Sequence, residues 1–264
     1  MKTSTDIKRP AKIEPAPNGH GPATAQTPKS FRTNSLAAGW LYVLTFVSIP
    51  TLFLYGAVKS ANYLLTSGSD TVTPIGGILE MIVGLAGIGT AVALYPVLRR
   101  QGQSRALGFA ASRTVECMGI FAGVAVLLSI VSLRQAGAGA AALPTAHALA
   151  GLYNSTFLLS GGFMPAVNAV LLGTLLYQSR LVPRWLPVLG LVGAALLVAS
   201  DVGTMFRLWG QFSTVPALTT FPIAIWEFSL GVYLIVKGFR PSAVATLIRR
   251  DADEASGEPA PAIG

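Results

Sequence analysis

Glu80, Arg113, Glu116, Asp201 and Glu227 each stand inside a long run of apolar residues. A charged side chain at the centre of a membrane helix costs about 2.5–3.5 kcal/mol on insertion scales, so each should face the inside of a helix bundle and find a partner there. Four carboxylates against one guanidinium leave negative charge in excess. A bilayer interior keeps such anions only with water, a proton or a bound cation. The chemistry to expect is therefore that of a proton or small-solute site built as an intramembrane polar network. Counted at ~1.5 Å of rise per residue, the acids should form a ladder. Glu80 and Asp201 lie near its outer end, Glu227 at mid-depth and Glu116 deep, with Arg113 near the inner face. From there Arg113 can snorkel to the headgroups or neutralise Glu116 three residues on. Glu227 should hold a proton unless Arg113 reaches it.

Helical spacing puts these groups on faces of small residues. At about 100° per residue, Glu80 shares a face with Gly84, Gly87 and Ala91, and Asp201 with Gly190 and Ala194. Glu227 lies with Thr220 and Gly231, while Arg113 and Glu116 lead into Gly119 and Gly123. Asn154, Gly161 and Asn168 recur at steps of seven and read as a polar packing stripe. Small residues let helices approach closely, as a buried interface requires.

A search for catalytic arrangements finds none. The chain has no HExxH, no G-x-S-x-G elbow, no P-loop and no acids at metal-ligand spacing on one helix. Its single cysteine, Cys117, excludes an internal disulfide and reads as a packing residue, and with only His20 and His147 beside it no zinc site or other metal or cofactor site is expected. His147 is expected in an outer loop.

The elements that must position these residues follow from composition. Charged residues are 11% of the 264, against roughly 25% in soluble domains, and AVILMFWYC reach 52%. Lipid must therefore replace the missing polar surface. About 20 helical residues cross a bilayer, and runs of that size occur at 36–58, 74–98, 106–133, 152–177, 185–206 and 216–236. The expected fold is all-α, a polytopic six-transmembrane-helix bundle. Residues 1–35, basic and rich in proline, should form a disordered cytoplasmic tail without a cleaved leader. Residues 239–264 should form a second cytoplasmic tail, a short interfacial helix followed by a disordered end.

Orientation follows from the basic residues. Arg99, Arg100, Arg105, Arg180, Arg184, Lys237, Arg240, Arg249 and Arg250 alternate with Lys59, Arg134 and Arg207 along the spans. The richer side is cytoplasmic, which places both termini there in the cytoplasmic membrane. The net charge of +8 thus reads as a topology signal and as contact with the lipid bilayer, not with nucleic acid. Tyr55, Tyr153 and Trp209 should sit in the outer aromatic belt, and Trp40, Tyr177 and Trp185 in the inner one.

Three segments carry a family resemblance: LGFAASRTVE at 107–116, YQSRLVPRWL at 177–186 and EFSLGVYLIVKG at 227–238. They resemble the bacterial membrane-protein family labelled domain of unknown function 4386, over roughly 34–240. The resemblance implies a multi-helix integral membrane protein and supplies no reaction, substrate or cofactor. Within it, Arg180, Pro183, Arg184 and Trp185 make a stiff, basic, aromatic inner loop suited to anchoring the fifth helix at the headgroups. The chain is expected not to be an enzyme. Its network should bind or pass a proton or small solute; the alternative is a structural or accessory membrane protein whose network only fixes packing, and an intramembrane enzyme comes third. Nothing in the sequence names a ligand or an oligomeric state.

Overall fold

The computed structural model describes residues 28–256, and the regular structure among them is helical. The α-helices are α1 (Pro28–Leu44), α2 (Thr51–Leu54), α3 (Val72–Leu98), α4 (Gln103–Gln135), α5 (Leu143–Phe157), α6 (Met164–Ser179), α7 (Trp185–Met205), α8 (Thr214–Val236) and α9 (Pro241–Ser256). Five helical runs are long and apolar enough to cross a membrane: α3, α4, the combined run Gly139–Ser179, α7 and α8. The chain is a membrane-embedded helical protein.

The stretch 36–58, expected as one uninterrupted span, is not one. α1 starts earlier, at Pro28, and ends at Leu44; a 3-10 turn, Thr45–Ser48, and the single turn of α2 follow. Pro50 has no N–H to donate and its ring clashes with the carbonyl four residues back. The hydroxyls of Thr45, Ser48 and Thr51 donate to the carbonyls of Tyr42, Thr45 and Ser48 at 2.7, 3.3 and 2.7 Å. That spacing of three matches the tighter 3-10 turn.

Residues 28–35, expected in a disordered tail, belong to α1. Phe31 and Ser35 are buried, and the Arg32 guanidinium donates to the Leu234 and Ile235 carbonyls at 3.1 and 2.7 Å, satisfying the open end of α8. The expectations for residues 1–27 and 257–264 lie outside the described residues. Further along α1, a Cβ on Gly39 would come within 2.7 Å of the Gly231 carbonyl oxygen. The α1 and α8 backbones therefore touch there. Phe46 meets Phe228 edge-on at 5.3 Å.

The fourth span also differs. It begins near residue 143 instead of 152, so His147 is helical, and its Nε2 lies 3.0 Å from the Ala61 carbonyl. Pro144 is tolerated in a first helical turn, and the Ala-rich stretch is weakly apolar yet strongly helix-forming. The run widens into a π-helical segment at Leu158–Phe163 before α6. Pro165 follows at once, and its ring opposes the Gly161 carbonyl four residues earlier.

Two apolar cores flank the middle of the bundle. One gathers Tyr42, Leu94, Leu172, Trp226 and Leu230; Val244 and Leu247 of α9 join it, and the Arg240 N–H donates to the Leu181 carbonyl at 2.8 Å. The other gathers Tyr55, Val58, Leu127, Ile130 and Tyr153.

The connection before α3 is clamped to the end of α4. Arg134 pairs with Asp70, stacks 3.9 Å above the Tyr63 ring, and donates to the Gly68 carbonyl. The Tyr63 hydroxyl donates to Asp70 at 2.9 Å, and burial pushes that phenol up to about 12. For Asp70, slight burial acts upward, but the bonds from Tyr63 and Arg134 and the Arg134 charge outweigh it and hold the carboxyl below its usual range. The clamp is therefore complete above the ordinary aspartate range and is lost as the pH falls through the lowered value. Asp70→Asn is expected to raise deuterium exchange of residues 59–71 several-fold at neutral pH. Exchange equal to wild type would show that the clamp holds nothing.

Candidate functional site

Arg113 lies ten residues into α4, because that helix starts at Gln103. It does not snorkel; it is 3% exposed and points into the bundle. Its Nη1 donates to Glu116 Oε2 at 2.9 Å, one turn along the same helix, and its Nη2 donates to Glu227 Oε1 of α8 at 2.7 Å. The Tyr42 hydroxyl of α1 lies 3.4 Å from Nη2, and the rings of Tyr42 and Phe109 face the guanidinium at 5.5 and 5.7 Å. A planar fork of donors suits two carboxylates at once. Arg113 does reach Glu227, so Glu227 does not stand alone in the bundle.

Asn168 of α6 completes the group. Its Nδ2 donates to Glu116 Oε2 at 2.6 Å, and its Oδ1 accepts from the Ser112 hydroxyl. Four helices thus meet at Arg113: α1 through Tyr42, α4, α6 through Asn168 and α8 through Glu227. Asn168 was legible only as part of a packing stripe. Ser112 and Tyr42 carried no signal, being ordinary residues of apolar runs whose facing partners come from distant sequence.

Glu80 of α3 is 7% exposed and accepts from the Tyr153 hydroxyl at 3.3 Å. Tyr153 and Tyr55, expected in the outer aromatic belt, are instead buried and stacked edge-on at 5.7 Å. Lys59 lies over the Tyr153 and Phe212 rings at 5.2 and 4.4 Å, and burial lowers the proton affinity of its amine.

A cavity of about 260 Å³ joins these groups, with Glu80, Arg113, Glu116 and Glu227 in its walls. The 3-10 turn after α1 lines one side and the π-helical segment another, through Thr45, Ser48, Ser160 and Gly161. The ladder of separate rungs is thereby replaced by one triad and one distant carboxylate around a shared space. Asp201 is not in those walls. It sits against Gly162, where a Cβ would come within 2.5 Å of Oδ2, and that oxygen has no hydrogen-bond partner. Asn154 is apart too: its carbonyl accepts from Gln211 and its side-chain Oδ1 is unpartnered. The widened helical turn between Asn154 and Asn168 changes the phase that a step of seven assumes.

Arg180, Pro183, Arg184 and Trp185, expected as an inner-loop anchor, are not among the cavity's lining residues. Arg180 caps α6 in the left-handed conformation at φ 55°, Arg184 stacks 4.8 Å over the Tyr177 ring, and Trp185 is 61% exposed at the start of α7. Pro183 is half-buried, and its carbonyl accepts from the Leu186 N–H. Among the described residues no three of His, Cys, Asp and Glu stand close enough to hold a metal ion.

The model of a family described as a domain of unknown function, DUF4386, matches residues 37–238. No curated protein and no solved structure matches the chain.

Proposed function

Since the chain belongs to the DUF4386 family, whose description names no activity, we propose from the site itself that this membrane protein binds or passes a proton or small solute through its central cavity. The observation that carries the reading is the shared space, in which Glu80 of α3 faces the same volume as the Arg113, Glu116 and Glu227 triad. A network serving packing alone has no need of a cavity, since interiors are otherwise close-packed. The reading includes six crossings with both termini cytoplasmic, α1 and α2 forming one broken crossing. The Arg32 contact at the end of α8 and the Tyr55 contact with Gly76 at the start of α3 support this, as does the alternation of basic loops. Discontinuous helices beside a buried polar site are a common way to build a membrane binding site. No catalytic role is part of the proposal.

A structural or accessory role is the second reading, favoured by how fully Arg113 is engaged through its two Nη atoms. Glu80→Gln separates the two. Its amide oxygen can still accept from Tyr153, so folding should survive, whereas pH-gradient-driven movement of protons or solute in proteoliposomes should be abolished. Wild-type vesicles as inert as the Glu80→Gln vesicles would leave the structural role standing.

A further inference from the structure

The identity of the solute, which rests on the cavity reading above, is constrained by the hydrogen-bonding state of the walls. Thr45, Ser48, Thr51, Ser160 and Thr220 all line the cavity, and the hydroxyl of each gives its proton to a backbone carbonyl of its own segment. What they offer a guest is an oxygen lone pair. The Tyr153 proton goes to Glu80, and the two Nη groups of Arg113 go to carboxylates. Glu227 engages Arg113 through Oε1 alone, and Glu80 takes the Tyr153 bond at 3.3 Å with the Tyr55 hydroxyl and the Lys59 charge nearby; a carboxylate offers about four lone-pair sites, so both keep some for a guest. The walls carry three carboxylates against one guanidinium, with no lysine or histidine among them. A cavity rich in acceptors and negative charge selects a guest that brings N–H donors and positive charge.

The rest of the lining describes the body of that guest. Phe46, Val83, Ile120, Phe157, Leu197 and Ile223 are apolar walls, and aromatic faces also favour a cation. At ~30 Å³ for each water-sized group, the 260 Å³ holds roughly nine. A bare proton needs no such volume. Arg113 keeps donors to spare: its Nε–H is buried without a partner, in a side chain that lines the cavity, and can take one oxygen of the guest.

We infer that the cavity binds a small organic cation, an ammonium group on an apolar, aromatic-sized body, with its N–H donors on Glu80.

Cys117, the chain's single cysteine, is one of the walls and reports on occupancy. The full chain in lipid nanodiscs is treated with neutral methyl methanethiosulfonate, and the labelling rate of Cys117 is followed by mass spectrometry in the presence of phenylethanolamine, phenylethanediol or mandelate. These three share a body and differ in charge. Phenylethanolamine at near-saturation should slow labelling about tenfold by mass action, the diol and the acid should not, and Glu80→Gln should lose the protection. Asp201→Asn, outside the walls, should keep it. Protection by mandelate or the diol equal to that by the amine, or no protection by any of them, overturns the cation while leaving an accessible cavity. A Cys117 that the neutral reagent never labels overturns both the cation and the cavity reading. If Glu80→Gln fails to fold, the three guests on the wild-type chain still decide.

Discussion

Arg113→Met is expected to remove nearly all folded protein, whether judged by monodisperse yield in detergent or by thermal unfolding. Methionine fills much of the same volume, so the loss would come from charge and hydrogen bonding. Glu116 and Glu227 would face each other from α4 and α8 with no cation between them. Breaking a buried ion pair by removing one partner costs about 3–5 kcal/mol, a large part of the margin by which a protein is folded. Here two carboxylates lose the same partner. The companion expectation is rescue. The triple variant Arg113→Met, Glu116→Gln, Glu227→Gln removes both orphaned charges and should recover most of the yield, because a lone buried charge is costlier than an absent network. Effects that simply add across the three sites would show that these residues do not act as one unit. A triple variant no better folded than Arg113→Met alone would mean that the loss came from packing.

Gly39→Leu is expected to release α1 from the bundle. Its Cβ would stand 2.7 Å from the Gly231 carbonyl oxygen and 2.8 Å from Ile235 Cγ1, and a Cβ on Gly231 would in turn meet Tyr42 Cβ at 2.9 Å. The Gly231 carbonyl is backbone and Tyr42 Cβ the root of a side chain, and neither can swing aside, so relief requires the helices to separate. Overpacking of this kind costs about 1–3 kcal/mol or more. It should also withdraw Tyr42 from Arg113 and Arg32 from the end of α8. Trypsin cleavage at Lys29 and Arg32 should then become fast in the variant and stay slow in wild type, with a lowered midpoint of thermal unfolding. Equal cleavage rates would show that α1 docks independently of the Gly39 contact. The test matters for function because the turn that follows α1 forms one side of the cavity.

Where the long apolar helices lie was largely legible, for a local reason. A helix that faces lipid must be apolar along its whole length, so run length alone marks it. The expected 74–98, 185–206 and 216–236 differ by at most two residues at either end from Val72–Leu98, Trp185–Met205 and Thr214–Val236. The same rule misled where hydropathy and helicity diverge. At 36–58 the chain is apolar without a break, yet Pro50 and the hydroxyl bonds after Tyr42 interrupt the helix. At residues 143–151 it is helical although hardly apolar enough to be counted.

Composition along the chain was enough to establish that it is helical, that it belongs in lipid, and which ionisable groups must be sheltered from that lipid. It could do so because each conclusion rests on composition along one segment and on the cost of charge in hydrocarbon. Which groups meet was decided by the tertiary structure. Glu227 is 114 residues from Arg113 and lies 2.7 Å from it, while Asp201, of the same type and in a similar run, faces Gly162 and stands outside the cavity. Helical periodicity gives a face of each helix but not the rotation, depth or neighbour against which that face is set. Those depend on small-residue contacts such as Gly39 with Gly231 and on turns that break the regular step at Thr45–Ser48 and Leu158–Phe163. Because a cavity is what several such faces leave unfilled between them, it is a property of the assembled helices and of no single segment.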